Sequence, residues 1–185
     1  AFAQYDNATG QYTRYATDTD TGSFSPAQGY AMAMSLDDLP PPPAGGVSGT
    51  TVAFAGALQT TDQTINVINN DGLNNVGRRW NLVSNPFPSY VAGNDAAATT
   101  NFLAANTAAI DSERLAVYGW NGSSYTIYNQ LSGAVSIAPG QGFWIAGANT
   151  TNTALNFTAA MRTTTGTGDF VLGPQLLTYN VGLKL

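Results

Sequence analysis

The sequence predicts an all-β fold, an antiparallel β-sandwich or jelly roll built from two related β units, with at most one short helix. Short β-favouring runs are separated by turn sequences such as Asn-Ala-Thr-Gly and Asn-Asn-Asp-Gly. A series of short motifs also recurs at one constant spacing. A chain of 185 residues is long enough to bury a core in a single domain.

The predicted strands are rich in β-branched and aromatic residues and end at turn residues. They include residues 11–15, 29–34, 51–54, 64–68, 80–83, 115–120, 125–128, 142–146 and 154–157. Residues 95–110 form the one segment that can support a helix, because they are rich in Ala and include Phe102, Leu103 and Ile110.

The repeat joins two tyrosine-rich segments and the turns that follow them. Tyr5, Tyr12 and Tyr15 align without a gap with the set Tyr118, Tyr125 and Tyr128, and every pair is 113 positions apart. The same offset aligns SPAQGY (residues 25–30) with APGQGF (residues 138–143). We therefore predict a single β domain over residues 1–172 with an internal duplication of about residues 5–57 and 118–160, followed by a C-terminal strand in residues 173–185.

The Gly-x-Gly turn at residues 140–142 has the outline of a phosphate-binding loop, but the repeat favours a structural role. The first glycine corresponds to Ala27 in the other copy, and neither copy is followed by a helix signal. Both copies keep Pro, Gln-Gly and an aromatic residue. We interpret them as a turn in which Pro fixes φ, Gly permits close approach and the aromatic side chain anchors a strand.

Composition excludes several classes of function. Only 9% of the residues are charged and the net charge is −5, whereas nucleic-acid binding requires clustered Lys and Arg. The chain has no Cys and no His, which removes thiol nucleophiles, Cys/His zinc sites and imidazole bases. We expect no enzyme activity, no cofactor and no nucleic-acid partner.

Three close pairs of acids are the candidates for catalytic or metal-binding groups: Asp18/Asp20, Asp37/Asp38 and Asp111/Glu113. No spacing rule selects two carboxyls that face each other across a sugar, as a glycosidase needs. Asp18-Thr-Asp20-Thr-Gly22 begins like a calcium loop but lacks the downstream glutamate. We favour solvated turn acids and predict no metal site.

Three motifs carry a resemblance to a known family: WNLVSNPFPS (residues 80–89), LAVYGWNG (115–122) and IAPGQGFW (137–144), with a late Met161-Arg162 pair. Together they resemble a β-rich module of large secreted proteins in gliding, type IX-secreting bacteria, over about residues 5–162. The resemblance implies a secreted surface module without established catalytic residues. We also expect an extracellular location because the chain begins at Ala1 as a processed polypeptide would, and no membrane insertion because no apolar run approaches about 20 residues.

The C-terminal segment alternates as a half-buried strand does. Its apolar positions are Leu177, Tyr179, Val181, Leu183 and Leu185. The first unit has no counterpart of the WNL strand before Tyr5, so its sheet is expected to lack one strand. The segment can complete that sheet in its own chain, or insert into a second copy and build a head-to-tail filament or surface layer. Non-catalytic structural assembly by strand complementation is our leading hypothesis.

The alternative is a carbohydrate-binding or adhesive module. Trp120, Tyr125, Tyr128 and Trp144 are candidates for a sugar-stacking platform, although alternation places Tyr125 and Tyr128 on different faces. Trp120 and Trp144 correspond to Asn7 and Ala31 in the first unit, so the repeat does not require them. These two tryptophans are therefore the predicted glycan-binding residues, with packing in the core as the competing interpretation.

Overall fold

A computed structural model describes residues 2–14, 23–32, 56–72, 77–98, 100–121, 123–164 and 166. This part of the chain contains twelve strands, one α-helix and two short 3-10 turns, so the predicted all-β class is confirmed. The strands are β1 (Phe2–Asp6), β2 (Gln11–Arg14), β3 (Tyr30–Met32), β4 (Gln63–Val67), β5 (Trp80–Ser84), β6 (Tyr90–Ala92), β7 (Ala116–Trp120), β8 (Tyr125–Asn129), β9 (Ser136–Ile137), β10 (Gly142–Ala146), β11 (Thr153–Phe157) and β12 (Arg162–Thr163), and the helix is α1 (Phe102–Ala105).

The described strands form four antiparallel sheets. The largest has the order β5-β10-β7-β8, and a three-stranded sheet has the order β2-β1-β3. Two smaller sheets, β11-β4 and β12-β6-β9, complete the sandwich.

The pairing follows the sequence repeat. The hairpin β1–β2 has β3 beside β1, just as the hairpin β7–β8 has β10 beside β7. Only the second arrangement continues to a full fourth strand, β5, among the described residues. The free edge of β5 is used by the first unit, because the Gly29 N–H donates to the Leu82 carbonyl (3.1 Å) and the Ser84 N–H donates to the Ala27 carbonyl (2.8 Å).

The core lies against one face of the four-stranded sheet. Val83, Val117, Phe143 and Ile145 are at most 1% exposed. They pack with buried side chains of the two smaller sheets, of α1 and of the 3-10 turn before β12: Val67, Val91, Phe102, Leu103, Ile137, Leu155, Phe157 and Met161. Burying this apolar surface is the main driving force for the fold.

The two proline turns have the same conformation. The Gln28 N–H donates to the Ser25 carbonyl (3.2 Å), and the Gln141 N–H donates to the Ala138 carbonyl (3.1 Å). Ala27 has a φ of 63° and Gly140 a φ of 68°, which is the left-handed geometry of the third residue of a type II turn. Each turn leads into a strand rather than a helix, so neither turn has the helix N-terminus that a phosphate-binding loop uses.

The helix is shorter than the segment that predicts it. The side chain of Asn101 accepts from the Ala104 N–H (2.8 Å) and begins α1. Asn106 ends it, because its amide turns back to the Phe102 carbonyl (2.9 Å). Residues 106–109 form a turn and Ile110 forms an isolated β-bridge with Gly147. The predicted strand at residues 51–54 lies outside the described part of the chain.

Candidate binding groove

The outer face of the four-stranded sheet is aromatic. Directly paired residues project to the same side of a sheet, and Trp144 pairs with Leu82 on β5 and with Tyr118 on β7. Tyr118 pairs in turn with Ile127, and Trp120 pairs with Tyr125. These side chains therefore share the face that points away from the core.

The hairpin β1–β2 lies over part of this face. The Tyr5 and Trp144 rings meet edge to face at a centroid distance of 4.7 Å. Tyr12 contacts both Tyr5 (5.3 Å) and Trp144 (6.4 Å). The two hairpins that the repeat relates thus face each other across the Trp144 ring.

Polar contacts hold the hairpin in place. The Asn7 amide donates to the Ile68 carbonyl (2.8 Å) and to Asn81 Oδ1 (3.2 Å), and Asn7 Oδ1 accepts from the Asn70 amide (2.7 Å). Arg78 donates to the Ala8 carbonyl at 2.7 Å. The hairpin turn is consequently attached to β5 and to the segment after β4.

An open groove of about 460 Å³ remains between the hairpin and the sheet. We call it the aromatic groove, and its lining residues are Tyr5, Trp80, Tyr118, Tyr125, Ile127 and Trp144. Trp80 and Tyr118 meet edge to face at 4.8 Å, which fixes the base of the groove. At its border Tyr125 and Ile127 are 52% and 53% exposed.

The aromatic groove is electrically neutral. Its six lining side chains include no acid and no base. Burial raises the pKa of the Tyr5 and Tyr118 hydroxyls above the ordinary tyrosine value. Burial, followed by the neighbouring Tyr125 and Tyr5, raises the pKa of Tyr12. The hydroxyls therefore stay protonated at neutral pH, and the groove favours apolar or uncharged ligands.

The predicted glycan-binding tryptophans occupy different parts of the surface. Trp144 is partly buried in the aromatic groove, whereas Trp120 is 47% exposed and lies beside Tyr125 at a ring distance of 5.0 Å. Tyr128 packs against the core on the opposite face of the sheet, so it is not part of the same platform. The proposed interface residues Leu177, Tyr179, Val181, Leu183 and Leu185 lie outside the described residues.

The sequence does not predict four of the groove residues as members of a site: Tyr5, Trp80, Tyr118 and Ile127. The first three stand out in the sequence only as parts of the repeat or of the WNLVSNPFPS and LAVYGWNG motifs. Two signals point to the groove: the repeat relates Tyr5 to Tyr118, and Ile127 follows Tyr125 at strand spacing. The placement of one hairpin over the other sheet is a tertiary feature that neither signal contains.

The acids in the described residues have structural partners. Asp111 pairs with Arg79 (2.6 Å) and Arg114 (3.0 Å), and Glu113 pairs with Arg114 (3.3 Å). In the part of the chain that the structure describes, no three His, Cys, Asp or Glu residues group as metal ligands would. Asp18/Asp20 and Asp37/Asp38 lie outside it.

Comparison with known proteins adds no assignment, since no protein-family model, curated protein or solved structure matches the chain. None of the helices in the described residues has the length and apolar character that crossing a membrane requires.

Proposed function

We propose that this chain is a non-catalytic extracellular structural subunit that assembles head-to-tail by β-strand complementation into a filament or surface layer. The observation that supports it best is the aromatic groove, which is apolar, uncharged and bordered by β8, an edge strand among the described residues. Such a groove beside an edge strand suits an added strand, which gains backbone hydrogen bonds and side-chain pockets together.

The chain itself contains a sequence of matching chemistry. The apolar positions of residues 177–185 alternate with Thr178, Asn180, Gly182 and Lys184. One face of such a strand is apolar, and the other is polar. A low-charge composition and the resemblance to secreted surface modules support the extracellular location.

Electron microscopy of negatively stained native protein tests this proposal. We expect filaments or sheets from the intact chain and none after deletion of residues 176–185, because the donor strand is then missing. Size-exclusion chromatography of the deleted protein should give a folded monomer, checked by circular dichroism. Unchanged filaments after the deletion would refute the proposal.

A matched pair of variants separates strand complementation from a general need for the C-terminal segment. Replacing Leu177, Val181 and Leu183 with Ser should abolish assembly, since these side chains are proposed to fill the groove. Replacing Thr178, Asn180 and Lys184 with Ser in a second variant should leave assembly intact. Equal loss of assembly in both variants would contradict the assigned face.

A carbohydrate-binding or adhesive module is the second candidate, favoured by the exposed Trp120 and Tyr125 rings beside the groove. It predicts a monomer that binds polysaccharide, because aromatic faces stack on sugar rings. Trp120→Ala and Trp144→Ala should then reduce retention on a polysaccharide column several-fold. Leu131→Ala, on the 95% exposed turn residue after β8, is the control. Retention that survives both tryptophan changes would exclude this candidate.

A further inference from the structure

Strand β8 lies at the edge of its sheet in the part of the chain that the structure describes. The Asn129 N–H donates to Ser132 Oγ (3.1 Å), and the Asn129 carbonyl accepts from the Asn94 amide (2.7 Å), so both groups turn away from β7. In an antiparallel pair every second residue turns its N–H and carbonyl to the same edge. Ile127 and Tyr125 therefore present their backbone groups at this edge, and no second strand pairs with β8 within the described residues.

The same two residues supply exposed apolar surface. Tyr125 and Ile127 project to the groove side, and each is about half exposed. Tyr12 (48% exposed) approaches the same groove from β2, and its ring centroid lies 6.4 Å from that of Trp144. Apolar surface gathered at an unpaired strand is the usual mark of a protein interaction site.

The edge of the first unit, at β3, is less available to an added strand. Residues 27–29, which lead into β3, already bond to the free edge of β5 through Gly29 and Ala27. A Cβ at Gly29 would lie 2.6 Å from Leu82 Cγ, so this contact is tightly packed. Residues 27–29 are therefore already paired beside β3, whereas Tyr125 and Ile127 pair only with β7 among the described strands.

We propose that the open edge of β8 accepts residues 177–185 of a second copy of this chain as an added strand. The inference rests on the proposed function and names its docking site. Apolar side chains of the donor face the aromatic groove beside Tyr125 and Ile127, and its polar side chains face the opposite side. A nine-residue strand is about 30 Å long and β8 about 17 Å, so about three of the five apolar donor residues lie alongside β8.

Cysteine cross-linking tests this docking site, because the native chain contains no cysteine. One preparation has Ile127→Cys and another has Val181→Cys, and the two are mixed, assembled and treated with a short bis-maleimide. We expect a covalent dimer on a denaturing gel only when both cysteines are present. Ala154→Cys, at an exposed position of β11, is the matched control and should give at least tenfold less dimer with Val181→Cys.

The outcomes separate the docking site from the proposed function. Filaments without a 127–181 cross-link, or with equal cross-linking at position 154, overturn the β8 site and leave strand-exchange assembly standing. A chain carrying both cysteines should form a ladder of covalent oligomers. If the cross-link instead forms only within single chains, residues 177–185 dock on their own chain and the proposed second copy is wrong. Absence of any assembly overturns both proposals. Tyr125→Cys replaces Ile127→Cys as acceptor if the latter does not fold.

Discussion

Gly29 and Gly142 occupy equivalent positions of the two proline turns, yet their surroundings differ. A Cβ at Gly29 would lie 2.6 Å from Leu82 Cγ and 2.8 Å from the Val83 carbonyl oxygen. A Cβ at Gly142 would find its nearest atom, the same carbonyl oxygen, at 3.8 Å. Gly29 is needed because the backbone there lies close to β5, whereas Gly142 has room for a side chain.

We therefore expect Gly29→Ala to lower the free energy of unfolding by roughly 1–3 kcal/mol, as overpacking does. Gly142→Ala should be neutral or slightly stabilising, since it fits without a clash and restricts the unfolded chain. Urea denaturation followed by tryptophan fluorescence measures both. Equal destabilisation by the two changes would contradict the close approach at Gly29.

Alignment of the two copies is enough to predict the role of this turn at the residue scale. Ala27 aligns with Gly140, and this alone argues against a phosphate-binding loop. The difference between Gly29 and Gly142 is not predictable from sequence, because it arises from contacts of Gly29 with Leu82 and Val83, more than 50 positions away. Local sequence specifies the turn, and tertiary packing decides which glycine is indispensable.

At the scale of elements, the hairpins are predictable from sequence and the short strands are not. Turn residues and β-favouring runs locate β2, β4, β5, β7, β8, β10 and β11 to within two residues. In contrast, β6, β9 and β12 have two or three residues each and exist because they pair with one another. Strand β1 is also absent from the predicted set, and it is held between β2 and β3. Pairing over long sequence separations cannot be read from a local pattern.

The WNLVSNPFPS and IAPGQGFW motifs contact each other in the structure through Asn85 of the first motif. Its side chain is 2% exposed, and its amide donates to the carbonyls of Ile137 and Ala138, both at 3.0 Å. Its Oδ1 accepts from the Phe87 N–H at 2.9 Å. One buried side chain thus satisfies the backbone of both motifs, which gives a structural reason for their joint occurrence in one chain.

At the scale of the whole molecule, a small ion-pair network links segments distant in sequence. Arg79, next to β5, pairs with Asp71 (2.5 Å) and with Asp111 (2.6 Å). Arg114 joins the same Asp111 carboxylate at 3.0 Å. In a chain with so few charges, this network connects the groove-bearing sheet to the segments before β5 and β7.

The ion-pair network makes the free energy of unfolding depend on pH. Burial alone would raise the pKa of Asp111, but the Glu113 backbone N–H and the Arg79 and Arg114 guanidinium groups outweigh it and hold the pKa below its ordinary value. The folded state therefore binds fewer protons here than the unfolded state. This contribution to stability is complete above the unfolded pKa of about 3.9 and is lost as the pH falls through the lower folded value.

We expect Asp111→Asn to reduce the free energy of unfolding by about 1–3 kcal/mol at pH 7, because hydrogen bonds to a charged partner are lost. The difference in unfolding free energy between Asp111→Asn and the native chain should narrow as the pH falls below the ordinary aspartate pKa of about 3.9, because the folded Asp111 pKa is lower and the native chain then loses this contribution. Glu113→Gln is the control, since its side chain is 81% exposed and should change little at either pH. Urea denaturation at matched ionic strength measures all three proteins. A deficit in Asp111→Asn that is as large at pH 3 as at pH 7 would show that the lost stability comes from packing rather than from the charged network.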